Sequence, residues 1–133
     1  MSAQKEKQEK RTYPRAPIKW YVTLQGSEGE MDGITTNVSP NGVFIRCKEP
    51  LKLNEVFDMV IDAPNRSLKV TVEVVWSNRY GPDDEVTPRG MGVRFLHISG
   101  EDRRFIAKAS LEYLKEELAP DYLKTLELEI GEY

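Results

Sequence analysis

The sequence predicts an all-β domain, a six-stranded antiparallel β-barrel capped by one C-terminal α-helix. Three observations carry this. Between residues 18 and 95, six short runs alternate apolar and polar side chains with a period of two, the mark of strands buried on one face. Clusters of Gly, Pro, Asn, Asp and Ser separate the runs, as expected where consecutive strands turn back on one another. After residue 98 the period changes to that of a helix. One-sided strands in unbroken succession favour closure, because a closed sheet exposes no unpaired edge.

Met1 to Lys10 is nearly all polar and is expected to be disordered. From Ile18 the alternation begins, with Ile18, Trp20, Val22 and Leu24 inward and Lys19, Tyr21, Thr23 and Gln25 outward. Gly26 to Glu30 turns the chain into a second strand over Met31 to Val38, which ends in a break at Asn37-Val38-Ser39-Pro40-Asn41-Gly42. Val43, Ile45 and Cys47 alternate with Phe44 and Arg46 in the third strand. The fourth spans Glu55 to Asp62 with Phe57, Met59 and Ile61 on one face. The fifth sets Leu68, Val70, Val72, Val74 and Trp76 inward. Asn78 to Pro88 is a polar loop of the kind that is mobile, and Met91, Val93 and Phe95 mark the sixth strand. Ser99-Gly100-Glu101-Asp102 reads as a helix start. Ile106, Ala109, Ser110, Tyr113, Leu114 and Leu118 then share one helical face until Ala119-Pro120 stops it. That stripe is expected to cover one barrel mouth. In the last segment Leu126, Leu128 and Ile130 alternate as in a strand, whereas Leu123, Leu126 and Ile130 fit a helix. Either form carries enough apolar surface for a homodimer or partner contact, or for packing back on the barrel.

At 133 residues the chain fits one domain. No apolar run approaches the roughly 18 residues of a membrane span, and no signal-peptide core follows the charged N-terminus, so a cytoplasmic protein is expected. Cys47 is the single cysteine, which rules out an internal disulfide and suits a buried apolar role. The net charge of −3 hides an asymmetry: residues 1–19 carry Lys5, Lys7, Lys10, Arg11, Arg15 and Lys19 against Glu6 and Glu9, a net of +4, leaving −7 on the remainder. Duplex binders spread cations over a face, so an acidic body with one basic segment argues against DNA or RNA and suits a compact anionic ligand.

Two stretches carry the chemistry. Asn37, Ser39, Pro40 and Gly42 combine short hydrogen-bonding side chains with one fixed backbone angle and one residue free to take a positive φ; the same residues also serve a plain turn. Upstream, Arg11-Thr12-Tyr13-Pro14-Arg15 sets two guanidinium forks four residues apart in a segment too rich in proline for a good helix. Arg-x-x-x-Arg followed by Asn-x-Ser-x-x-Gly resembles the signature of PilZ domains, bacterial receptors for cyclic di-GMP. Gly90-Met91-Gly92-Val93-Arg94-Phe95 is similar to the last barrel strand of that family.

The resemblance implies a split barrel over residues 11–118, between a tail (1–10) and an extension (119–133), with cyclic di-GMP as ligand and no cofactor or metal. It implies that Arg11 and Arg15 wrap the nucleotide, that Asn37 meets a guanine edge, that Ser39 reaches a base or phosphate, and that Gly42 holds the turn that aims them. Lys10 is a secondary candidate, for a second, intercalated ligand. The family more often has Asp at the position of Asn37; an amide both donates and accepts, whereas an ionised carboxylate only accepts, which bears on affinity. A domain with no attached output would act through a downstream protein, in motility, pili, exopolysaccharide synthesis or transcription.

Three rival readings stand beside this one. An enzyme would need Cys47 and His97, the only histidine, to meet in the fold. A single-stranded nucleic-acid binder would use Trp20, Tyr21, Phe44 and Tyr80, although Trp20 lies on the inward face and Phe44 stands alone. A PilZ-like adaptor would bind protein with weak or no nucleotide binding.

Overall fold

The computed structural model describes residues 15–26, 29–115 and 129–130. Its six strands are β1 (Tyr21–Gly26), β2 (Gly29–Ser39), β3 (Gly42–Arg46), β4 (Val56–Ala63), β5 (Arg66–Asn78) and β6 (Gly90–His97), followed by one helix, α1 (Gly100–Leu114). They close in the order β1-β2-β3-β6-β5-β4, every neighbour antiparallel, so the expected six-stranded barrel with a C-terminal helix is the fold.

The alternation decides what is inside. Val22 and Leu24 of β1, Val43 and Ile45 of β3, Met59 and Ile61 of β4, Leu68 to Val74 at every second position of β5, and Met91 and Val93 of β6 form one core. Burying a Val, Leu, Ile or Met side chain stabilises the fold by roughly 1.5–3 kcal/mol. Ile18, Phe57 and Phe95, also expected inward, pack against the core from its margin.

The first predicted strand differs at its start. Regular pairing begins at Tyr21; Pro17 has no N–H to offer and the chain leaves the ladder at residues 17–19, while the Trp20 carbonyl still accepts from the Thr35 amide at 2.9 Å. The fully buried Thr35 splices this gap: its Oγ1 accepts from the Trp20 amide at 2.8 Å and donates to the Ile18 carbonyl at 2.7 Å.

Trp76 is a second difference. It was expected in the core, yet it is 44% exposed, because the β5–β6 register shifts between Val74 and Trp76 and breaks the alternation. Its ring lies on Phe44 with centroids 5.4 Å apart, so Phe44 does not stand alone either. The loop after β5 is braced rather than loose: the buried Asn78 donates to the carbonyls of Pro82, Thr87 and Pro88 and accepts from the Gly81 amide. Asp83 ties the same loop to Arg89 and Arg46, and its carboxyl is held below its usual range first by the Arg89 amide and then by the Arg46 guanidinium.

Helix α1 begins where expected, with the Ser99 hydroxyl accepting from the Asp102 amide at 3.0 Å as N-cap. Arg66, at the start of β5, holds Asp102 at 2.8 Å and lies over Phe105, whose ring meets Trp20 at 5.8 Å. Ile106, Ala107, Ser110 and Leu114 are its buried face. Tyr113, expected there, is 55% exposed; its phenol keeps it at the rim, where a wet hydroxyl and an apolar ring are both accommodated. Leu118, the tail 1–10 and most of the extension 119–133 lie outside the described residues. Within the extension, Glu129 is described and pairs with Arg103 of α1 at 2.9 Å.

Candidate functional site

The β2–β3 hairpin builds the site. Asn37, Val38 and Ser39 face Phe44, Val43 and Gly42 across the ladder, with Pro40 and Asn41 as the two-residue connection and a register shift between Thr35 and Asn37. Val38 is fully buried, so its neighbours Asn37 and Ser39 lie on the opposite side of the strand, although Ser39 is itself buried, at 7% exposure. Asn37 is half-buried, and its amide makes no hydrogen bond among the described residues. The Ser39 hydroxyl accepts from the Asn41 amide at 3.2 Å and donates to the Gly42 carbonyl at 3.3 Å; one acceptor lone pair remains.

Gly42 is a glycine for a reason other than the expected positive φ. The positive-φ residues among those described are Gly29, Asn54 and Asn65. At Gly42 a Cβ would strike the Val93 carbonyl and come within 3.0 Å of the Arg94 Cα, so only hydrogen fits between the hairpin and β6. The turn is clamped from outside as well. Arg103 donates to the Pro40 carbonyl at 3.0 Å and to the Asn41 Oδ1 at 3.1 Å, and the Phe95 amide donates to the Asn41 carbonyl at 2.9 Å.

The basic segment reaches this corner. Ala16 and Val38 exchange both backbone hydrogen bonds, at 2.9 and 2.8 Å, in an isolated antiparallel bridge. Antiparallel register then sets Arg15 beside Ser39. Because Ala16 is fully buried, Arg15 takes the opposite, outward side and is exposed. The structure thus brings Arg15, Asn37, Ser39 and Gly42 together. Arg11 and Lys10 lie outside the described residues.

Sequence reasoning missed the floor beside them. Asn37, Phe44, Gly92 and Trp76 stand in register across β2, β3, β6 and β5 on the outer face, and so do Ser39, Gly42, Arg94 and Glu73. A Cβ on Gly92 would be in ordinary contact with Trp76 and Phe44, at 3.6 and 3.8 Å, so the glycine leaves room between the two rings. The glycine at every second position of Gly90-Met91-Gly92 was the available signal; the irregularity that turns Trp76 outward leaves none.

The rival chemistry does not assemble. The Cys47 amide meets Arg89 at one end of β6 and His97 ends that strand, about 25 Å away along it. Cys47 is buried, and burial pushes its thiol up to about 11. No group of His, Cys, Asp or Glu among the described residues could hold a metal ion. A groove of about 820 Å³ opens elsewhere, between the start of β2, β1, β4, β5 and the end of β6, and reaches toward the β2–β3 turn through Arg103. Among the described residues, none of the predicted site residues lines it. No described helix is long and apolar enough to cross a membrane.

Comparison with known proteins agrees with this architecture. The sequence profile described as the PilZ domain matches residues 9–111. No curated protein sequence matches the chain. Among solved structures it is similar to the Bacillus subtilis inhibitor of motility (MotI/DgrA), with 18% identity and a TM-score of 0.67 over 82% of this chain and 53% of that one. The chain therefore spans about half the length of that relative. It is similar to the PilZ domain of YcgR from Escherichia coli, solved with c-di-GMP, at 11% identity and a TM-score of 0.62, covering 80% of this chain and 93% of that one. A third likeness, to the PilZ domain of CeSA from a cellulose-synthesizing bacterium, has 14% identity and a TM-score of 0.50 over 74% and 96% of the two chains. At these identities the likeness is one of fold.

Proposed function

Because the chain belongs to the PilZ domain family, whose profile spans residues 9–111, we propose that it is a receptor for cyclic di-GMP that passes the signal to a protein partner. The observation that carries this reading is the double hydrogen bond between Ala16 and Val38, which sets an arginine of the Arg-x-x-x-Arg segment beside the Asn-x-Ser-x-x-Gly corner.

In this reading residues 11–118 are the receptor domain and the basic segment closes over the nucleotide. Arg15 and Arg11 supply planar forks that match the O6 and N7 edge of guanine or a phosphate. Asn37 offers its uncommitted amide to a second guanine edge, and Ser39 offers its remaining lone pair. The exposed Trp76 with Phe44 gives a purine a surface to stack on, an interaction worth roughly 1–3 kcal/mol per base. Each bidentate arginine contact adds roughly 1–3 kcal/mol. Ordering five or six residues at about 1–2 kcal/mol each offsets much of that. That offset favours a reversible sensor over a permanently filled site, and micromolar affinity, about −8 kcal/mol, is the scale expected of one.

Calorimetric titration with cyclic di-GMP tests this. Saturable binding near micromolar is expected, lost or severely weakened in Arg15→Ala and still impaired in Arg15→Lys, since an ammonium lacks the fork. Absence of binding at 100-fold above micromolar ligand would end the receptor reading and leave the adaptor that binds protein alone.

A further inference from the structure

We propose that Arg94 is a third ligand-gripping guanidinium, on the β6 side of the site, and that Glu73 restrains it until the ligand arrives. This rests on the reading of the corner as a cyclic di-GMP site. In register, the line Arg15, Ser39, Gly42, Arg94 runs across three strand spacings, about 14 Å in all, with an arginine at each end. Between them Gly42 presents no side chain, so the floor is flat where a planar base or a phosphate would lie. Val93 is buried beneath, which fixes Arg94 on the same outer side as Ser39.

Arg94 is presently turned toward β5. Its Nε donates to one oxygen of Glu73, Oε1, at 2.7 Å, and its Nη2 lies 2.6 Å from the same oxygen. Two donors converging on a single oxygen are not the two-on-two arrangement that makes an arginine–carboxylate pair strong, and the Nη1 donors stay uncommitted. The Arg94 side chain is 57% exposed, and exposed pairs of this kind contribute little to stability. A nucleotide phosphate, or the O6 and N7 edge of a guanine, offers the guanidinium the matched geometry that Glu73 does not. The carboxylate in turn repels a doubly anionic ligand. Arg94 therefore raises affinity, and Glu73 lowers it.

Titration of the full chain with cyclic di-GMP decides the matter through variants of opposite sign. Arg94→Ala is expected to weaken binding by about tenfold, Arg94→Lys by somewhat less, and Glu73→Gln to tighten it by about threefold. A pair that merely brackets β5 to β6 would give weaker or unchanged binding on losing either member, so tighter binding by Glu73→Gln separates the two accounts. The proposal is overturned if Arg94→Ala binds like the parent, or if Glu73→Gln binds equally or less well. If the parent chain itself fails to bind, the receptor reading fails and takes this one with it. If the parent binds and only the variants disobey, the receptor reading stands and Arg94 is a surface residue.

Discussion

Cys47 and His97 are the side chains that a search for nucleophilic chemistry picks out first, and their surroundings give neither a partner in the other. Burial raises the Cys47 thiol from 9.0 to about 11, with the Glu49 backbone only partly opposing it. The folded state thus favours the neutral thiol, so the stabilising effect is complete below the unfolded pKa and is lost as pH rises from about 9 through 11. Alkaline denaturation should therefore steepen in that window in the parent and be flatter in Cys47→Ala, once the smaller side chain's uniform loss of stability is subtracted; identical slopes would contradict the burial account. Trp76 teaches the reverse lesson about reading residues. Alternation assigned it to the core on the same grounds as Val70, Val72 and Val74, and it failed only because one extra residue enters β5 before it. A bulge is a pairing event between two strands, and nothing within the fifth run alone announces it.

The element that matters most is the irregular stretch from Ala16 to Trp20. It stays beside β2 by three means, the backbone exchange between Ala16 and Val38, the Thr35 amide donating to the Trp20 carbonyl at 2.9 Å, and the Thr35 hydroxyl bridging Trp20 and Ile18. Thr35→Val keeps the volume but leaves a buried amide and a carbonyl without that partner, which should cost about 1–3 kcal/mol. A drop in the thermal midpoint is expected, together with weaker cyclic di-GMP binding out of proportion to the stability lost, because Arg15 loses its mooring. Equal affinity in a folded Thr35→Val would show that the mooring is dispensable. This stretch was half legible. The inward Trp20 follows from period, and turn chemistry singled out Asn37, Ser39 and Gly42, the last for a backbone angle it does not adopt. The close approach of β6 to Gly42, and the clamp by Arg103 from α1, join residues far apart in the chain and leave no local pattern.

At the scale of the molecule, closure of the sheet is what turns separate weak motifs into one surface. β6 lies between β3 and β5 although it follows β5 in sequence, and this crossover puts Phe44 beside Trp76 and Ser39 in line with Arg94. Strand number, antiparallel order and the capping helix were legible because each rests on a periodicity that burial imposes along a continuous stretch. The neighbourhood of β3 and β6 was not, since it follows from closure itself. The account's central claim is that one nucleotide sits on the outer face where the basic segment meets the β2–β3 corner. Amide chemical-shift mapping during titration with cyclic di-GMP tests it most directly. The largest changes are predicted at Arg15, Ala16 and Asn37 to Gly42, spreading to Phe44 and Gly92; saturable changes confined to the groove around Lys69 and His97, with the hairpin silent, would contradict it.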